Sequence, residues 1–274
     1  MPHDQHELAL HLLSAYDTQL REETEMLGAT AIDRSGPLVR GKFGSRGFVS
    51  YRDLAGLTGT ALDDLIAQTI EHFARDAHVS SFEWKTRGHD APPDLSERLL
   101  AQGFQAEDQE TVMLGEARLL AVDVHLPPGV QLRRIDDQAD SGPDLRRAVA
   151  AQERAFGVPF DLEDFVQSLE KKRALVEVWV AEAQGEVICT GRLEVVPGTE
   201  FAGIWGGGTV PEWRGQGIYR ALTAQRAKSA LARGVRFLHS DSTPFSRPIL
   251  ERSGLLPVTT TTPYIWSRGQ APHE

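Results

Sequence analysis

Cysteine is nearly missing from this 274-residue chain. Cys189 stands alone, which leaves no internal disulfide and no multi-thiolate metal site. Its setting, Val187-Ile188-Cys189, reads as a small core residue rather than a nucleophile. Positive charge is also in deficit: 29 Lys and Arg face 39 Asp and Glu, for a net charge of −10. Non-specific nucleic-acid binding needs a basic stripe, so that class is set aside. No stretch of about 18 apolar residues occurs that would span a bilayer. The opening residues, Met1 to Leu10, lack the basic segment and apolar core of a secretory leader. The histidines are scattered, and no spacing among them assembles a metal site. The expected protein therefore has no metal, no nucleic-acid or membrane partner, and a cytoplasmic location.

What is present is ordinary material for packed cores, with 41% hydrophobic and 25% charged residues. The length predicts two domains. Residues 7–26 have apolar positions at helical spacing, and 38–43 with 47–52 read as a hairpin around Gly44-Ser45-Arg46. A helix is expected over 62–76, a strand over 79–85, a short helix over 95–101 and a strand over 111–114. Pro127-Pro128-Gly129 then breaks the pattern. The expected division is a domain over 1–120, a linker over 121–129 and a second domain over 130–274.

The second half predicts a strand at 130–134, helices at 143–156 and 161–172, and strands at 176–183, 187–196 and 201–210. A helix over 218–233 ends at Gly234. Strand 235–240, short helix 246–253 and strand 258–266 follow. The order helix, strand, Pro-containing loop, short helix, glycine turn and strand occurs in both halves, which predicts a tandem of two related folds.

Chemistry concentrates at Thr209 to Leu222. A strand ends at Pro211, and Arg214-Gly215-Gln216-Gly217-Ile218 leads into a helix. Such a turn leaves backbone N–H groups unpaired at the positive end of the helix dipole, a setting for phosphate or diphosphate. The nucleoside-triphosphate loop is excluded by the lack of Gly-Lys-Ser/Thr. Arg220 stands where a dinucleotide fingerprint needs its third glycine.

Thr209-Val-Pro-Glu-Trp-Arg-Gly-Gln-Gly-Ile-Tyr219, with Ser246-Arg-Pro-Ile-Leu-Glu-Arg-Ser-Gly-Leu255 beyond it, resembles the GNAT (Gcn5-related) N-acetyltransferase superfamily over about 130–266. The resemblance implies a mixed α/β fold in which acetyl-coenzyme A is the co-substrate. It also implies that Arg214, Gly215, Gln216, Gly217, Ile218 and Tyr219 cradle the diphosphate, and that Gly207, Gly208, Thr209 and Val210 lend backbone groups to the pantetheine arm. Thr243 falls where a polar residue often meets the cofactor. Three departures stand out. Tyr219 replaces a small residue, Leu250 replaces a tyrosine that protonates the leaving thiolate, and Gly203 replaces a strand glutamate.

The resemblance implies an N-acetyltransferase acting on a small-molecule or peptide amine by direct attack, as monomer or homodimer. The alternative is a non-catalytic coenzyme A-binding or scaffold module of the same fold. If the strands 187–196 and 201–210 pair with 194 opposite 203 or 201, Glu194 shares a face with Gly203. That makes Glu194 the first candidate base and Asp241 the second. The first half has Gly56 and Gly59 before its helix but no matching arginine, and is expected to be a GNAT-like domain without a cofactor.

Overall fold

The computed structural model describes residues 3–136 and 141–269. The first elements along the chain are α1 (His3–Gln19), β1 (Ala31–Ser35), β2 (Leu38–Phe43), β3 (Arg46–Ser50), α2 (Gly59–Arg75) and β4 (Ser81–Arg87). Then come α3 (Leu95–Ala101), β5 (Gln105–Ala106), β6 (Glu110–Glu116), α4 (Ala117–Leu120), β7 (Gln131–Arg134), α5 (Gly142–Phe156) and α6 (Leu162–Lys171). The remainder is β8 (Val176–Ala183), β9 (Glu186–Val195), β10 (Phe201–Thr209), α7 (Ile218–Ala232), β11 (Phe237–Ser242), α8 (Arg247–Arg252) and β12 (Leu256–Ser267). The chain carries an α/β fold with mixed parallel and antiparallel sheet pairing.

The chain divides into two compact units that interleave in sequence. The first takes residues up to Val112, then Asp241–Pro244 and everything from Pro257 on; the second takes Met113–Ser240 and Phe245–Leu256. This departs from the expected division into 1–120 and 130–274. The physical reason is strand pairing: β12 runs antiparallel to β4, from Thr261↔Arg87 to Ser267↔Ser81, and also pairs with β5. In the first unit β1, β2 and β3 form an antiparallel meander, and β4 joins β3 in parallel. The stripe Leu62, Leu65, Ile66 and Phe73 of α2 packs with Tyr51, Phe82, Trp84, Phe104 and Tyr264. Trp84 is fully buried.

In the second unit β7, β8, β9 and β10 pair antiparallel in that order, and β11 joins β10 in parallel. Apolar side chains of α5, with Phe165 of α6, pack against β8 and β9. Alanines 227 and 230 of α7 pack with Leu193, Ile204 and Leu238. Small side chains on that helix face let its backbone lie close to the sheet. Gly234 takes φ +78° after α7, the left-handed turn expected there. Each unit thus contains strand, crossover helix and parallel strand, as β3–α2–β4 and β10–α7–β11. Among the described residues no helix is long and apolar enough to cross a membrane, and no group of three or more His, Cys, Asp or Glu is placed to hold a metal.

Candidate functional site

The parallel pair β10/β11 is short. Residues Phe201, Ala202 and Gly203 pair with Phe237, Leu238 and His239, and the ladder stops there. From Ile204 to Thr209 the edge of β10 that faces β11 has no strand partner among the described residues. Buried backbone groups need partners, so an open edge inside a unit is a place where a ligand can complete the ladder.

At the end of β10 the chain turns through Pro211–Trp213 into Arg214-Gly215-Gln216-Gly217 and then α7. Gly215 and Gly217 sit at φ +76° and +79°, and a Cβ at either would meet nothing within 4 Å. These two positions need glycine for conformation, and their open side faces away from the protein. Ala221 is the first residue of α7 whose N–H finds an acceptor, Gly217 O at 2.9 Å. The N–H groups from Gly215 to Arg220 have no acceptor among the described residues. They form a row of donors at the positive end of α7, suited to an anion.

Arg214 does not point into that cradle. Its Nε donates to Thr209 O at 3.1 Å and its Nη2 to Ala155 O at 2.7 Å, so it staples the strand end to the end of α5. Ile218 is buried in the core and anchors the helix start. Gln216 is exposed. Val210 N–H donates to Ile188 O and its carbonyl accepts from Trp213 N–H, both at 3.0 Å. The Thr209 hydroxyl donates to Cys189 Sγ at 3.2 Å. Burial pushes the Cys189 thiol up to about 11, which suits a core residue.

Tyr219 turns inward rather than into the cradle. Its ring lies where a Cβ on Gly207 would come within 2.7 Å, and burial raises its hydroxyl pKa. Gly207 thus makes room for the tyrosine that departs from the family pattern. Beside it Arg226 is fully buried and donates to Arg192 O at 3.0 Å and Thr223 Oγ1 at 3.0 Å. A Cβ on Gly191 would come within 2.7 Å of that guanidinium.

Strands β9 and β10 pair with Glu194 opposite Gly203 and Arg192 opposite Trp205. The register shifts between Trp205 and Gly208, at Gly206 and Gly207, beyond the Glu194 position. Glu194 therefore shares the face of Gly203, as the hairpin reading expects. Lys172 Nζ lies 2.6 Å from Glu194 Oε1. At Gly203 a side chain would overlap the Trp205 indole, which itself packs edge-on against His239 with ring centres 5.0 Å apart. Leu250 is fully buried with Leu238 and Leu255, in a purely apolar setting.

Asp241, near the end of β11, is grouped with the first unit, where Lys85 Nζ lies 2.6 Å from its Oδ2. Thr243 is partly buried in the connection from β11 to α8. Burial alone would lower the Lys85 pKa, but Asp241 and Tyr16 hold it raised. Glu110, at the start of β6 and invisible to sequence reasoning, is pushed up to about 7, first by burial and then by Asp241. A carboxyl whose folded pKa exceeds its unfolded value contributes stability below about pH 4.5 and loses it as pH rises through about 7. Glu110→Gln removes that loss. We expect it to gain about 1–2 kcal/mol over the parent at pH 8, after discounting for solvent screening, and almost nothing at about pH 4. Thermal melts at the two pH values check this; an equal difference at both would refute it.

The corresponding turn of the first unit, before α2, is built differently. Ala55 N–H donates to Asp53 Oδ1 at 2.8 Å and Leu57 N–H to Leu54 O at 3.0 Å. A carboxylate of the chain already occupies part of that turn.

Residues 145–252 match the model of the acetyltransferase (GNAT) family. Among solved structures, a GCN5-related N-acetyltransferase from Kribbella flavida is similar at 17% identity, over 95% of this chain and 96% of that one, with a TM-score of 0.66. A tandem GNAT protein from the clavulanic acid biosynthesis pathway is similar at 15% identity, over 100% of this chain and 97% of that one, with a TM-score of 0.64. At such identities the likeness is one of fold. No curated protein matches the chain.

Proposed function

We propose, from the match of residues 145–252 to the acetyltransferase (GNAT) family model, that the protein moves an acetyl group from acetyl-coenzyme A to the amine of a small molecule or peptide. The observation that supports this most is the row of unaccepted N–H groups from Gly215 to Arg220, reached from the open edge of β10. In this reading those amides hold the diphosphate, Gly207, Gly208 and Thr209 hold the pantetheine arm, and Thr243 meets the cofactor after β11. The diphosphate is the negative charge that the dipole of α7 favours.

The acceptor nitrogen bonds to the thioester carbon and the carbon–sulfur bond breaks. Nitrogen gives up a proton, and the thiolate leaves and takes one from water. No covalent enzyme intermediate forms. An alkylamine is mostly protonated at pH 7, so a base assists. Glu194 is the first candidate and Asp241, engaged by Lys85, the second.

Thiol release from acetyl-coenzyme A, followed with a panel of amines, tests the reading. Coenzyme A binding with no amine-dependent thiol release would overturn it and leave a binding module. Glu194→Gln is expected to lower kcat/KM about 100-fold at pH 7. The loss should shrink toward pH 9, where the acceptor sheds its own proton. A pH-independent loss would remove Glu194 from the role of base.

A further inference from the structure

Among the described residues, no hydrogen bond answers the charge of Arg192. It lies opposite Trp205 on the face of β9 that also holds Glu194. Its side chain is half-buried, and its Cζ sits 5.1 Å from the centre of the Phe165 ring of α6. Among the described residues nothing accepts a hydrogen bond from its guanidinium. Five N–H donors in a planar fork remain, and stacking on a ring does not satisfy them. Arg226, the fully buried arginine beside it, shows the contrast: its guanidinium donates to the Arg192 carbonyl and to Thr223.

The bulge of β10 sets Gly206 beside Arg192. Gly206 takes φ +58°, and a Cβ there would come within 3.0 Å of Gln152 Oε1 and 3.8 Å of Arg192 Cζ. Gln152 of α5 and Arg192 thus both lie against Gly206. Burial presses the Arg192 pKa down, Glu194 opposes this and Arg226 adds to it. Lys172, on Glu194, adds another positive charge to this face. In a chain of net charge −10, a local excess of cations around an unanswered guanidinium marks a place for an anion.

We propose that Arg192, with Gln152, binds a carboxylate carried by the acceptor, so that the acceptor is an amino carboxylate. This inference rests on the acyl-transfer reading and names its substrate class. Arg192 and Glu194 are alternate residues of one strand, with Cα atoms roughly 7 Å apart. Carboxylate recognition at the first and proton removal at the second therefore suit a molecule whose two groups lie a few atoms apart. A planar guanidinium matches a carboxylate with two parallel hydrogen bonds.

The test is a panel of free amino acids, the same compounds as amides, the amines left by removal of the carboxylate, and short peptides. Free amino acids should exceed their amides about 100-fold in kcat/KM, the worth of one bidentate charged pair. Short peptides, whose carboxylate lies farther from the amine, separate a free amino acid from a peptide as its source. Arg192→Gln should raise KM for the carboxylate-bearing acceptors about 10- to 100-fold and leave KM for acetyl-coenzyme A within about twofold. Arg192→Lys should recover part of the loss. Equal turnover of acids and amides by the parent protein, or an unchanged preference in Arg192→Gln, overturns the inference while transfer itself stands. If no amine is acetylated, the underlying reading fails; calorimetry of the amino acids against the coenzyme A-loaded parent then decides, and no saturable binding overturns the inference too.

Discussion

Gly217→Glu is expected to weaken coenzyme A binding by about three orders of magnitude. The glycine holds φ +79° at the residue before α7, and its missing side chain would point into open space. A Cβ there meets no protein atom within 4 Å, so the fold survives with left-handed strain of about 1–2 kcal/mol. Its carboxylate, however, enters the region toward which the Gly215–Arg220 amides converge. Two like charges about 4 Å apart near a protein surface repel by about 4 kcal/mol, a factor of roughly 1,000 in affinity. Gly217→Ala adds a methyl and the strain but no charge, and should cost about 5- to 10-fold. Calorimetry with coenzyme A, beside melting curves to show both variants folded, reads the difference. Two folded variants that bind like the parent would place the diphosphate elsewhere, and the acyl-transfer reading would lose its support.

That loop was legible in the sequence because its signals are local. Glycine frees the left-handed region, proline ends the strand, and an apolar stripe announces the helix, all within a dozen residues. The short helix Leu95–Ala101 and the hairpin of β2 and β3 were legible for the same reason. β1, a five-residue strand with largely exposed side chains, has no apolar alternation to betray it. The charges around the candidate bases lie further from any sequence rule. Lys172 reaches Glu194 across 22 residues and Lys85 reaches Asp241 across 156. Nothing in local spacing says which lysine meets which carboxylate, and nothing says that Arg192 meets none.

Two departures from the family pattern each have a steric counterpart nearby. Tyr219 is bulky where a small residue is expected, and the glycine at 207 leaves the room that its ring fills. Gly203 stands in the place of a glutamate, and the Trp205 indole covers it. Tyr219 and Gly207 meet only through the bulge of β10 and the turn into α7, whereas Gly203 and Trp205 are same-face neighbours two residues apart on β10. The carboxylate missing at 203 and the one present at 194 face the same side of the sheet because the register shift lies past them, at 206 and 207.

A chain ended at residue 256 is expected to lose the folded first unit altogether. β12 supplies the antiparallel partner of β4 along its whole length, from Ser81 to Arg87. It also brings Tyr264, buried in the aromatic core, and Trp266, whose ring centre is 5.5 Å from that of Phe82. Just beyond it, Arg268 donates to Ala74 O at 3.0 Å and Asp76 O at 2.8 Å, satisfying carbonyls where α2 ends. Removing a buried aromatic side chain costs about 3–5 kcal/mol, and a domain holds only about 5–15 kcal/mol in total. Losing both aromatics, the ladder and the cap exceeds that margin. Fully buried Trp84 and Phe82 would then meet water, a change that tryptophan fluorescence reports. Adding a peptide of residues 257–269 should restore amide protection in β3 and β4. Protection that persists in the shortened chain without the peptide would show that the first unit holds its fold without β12.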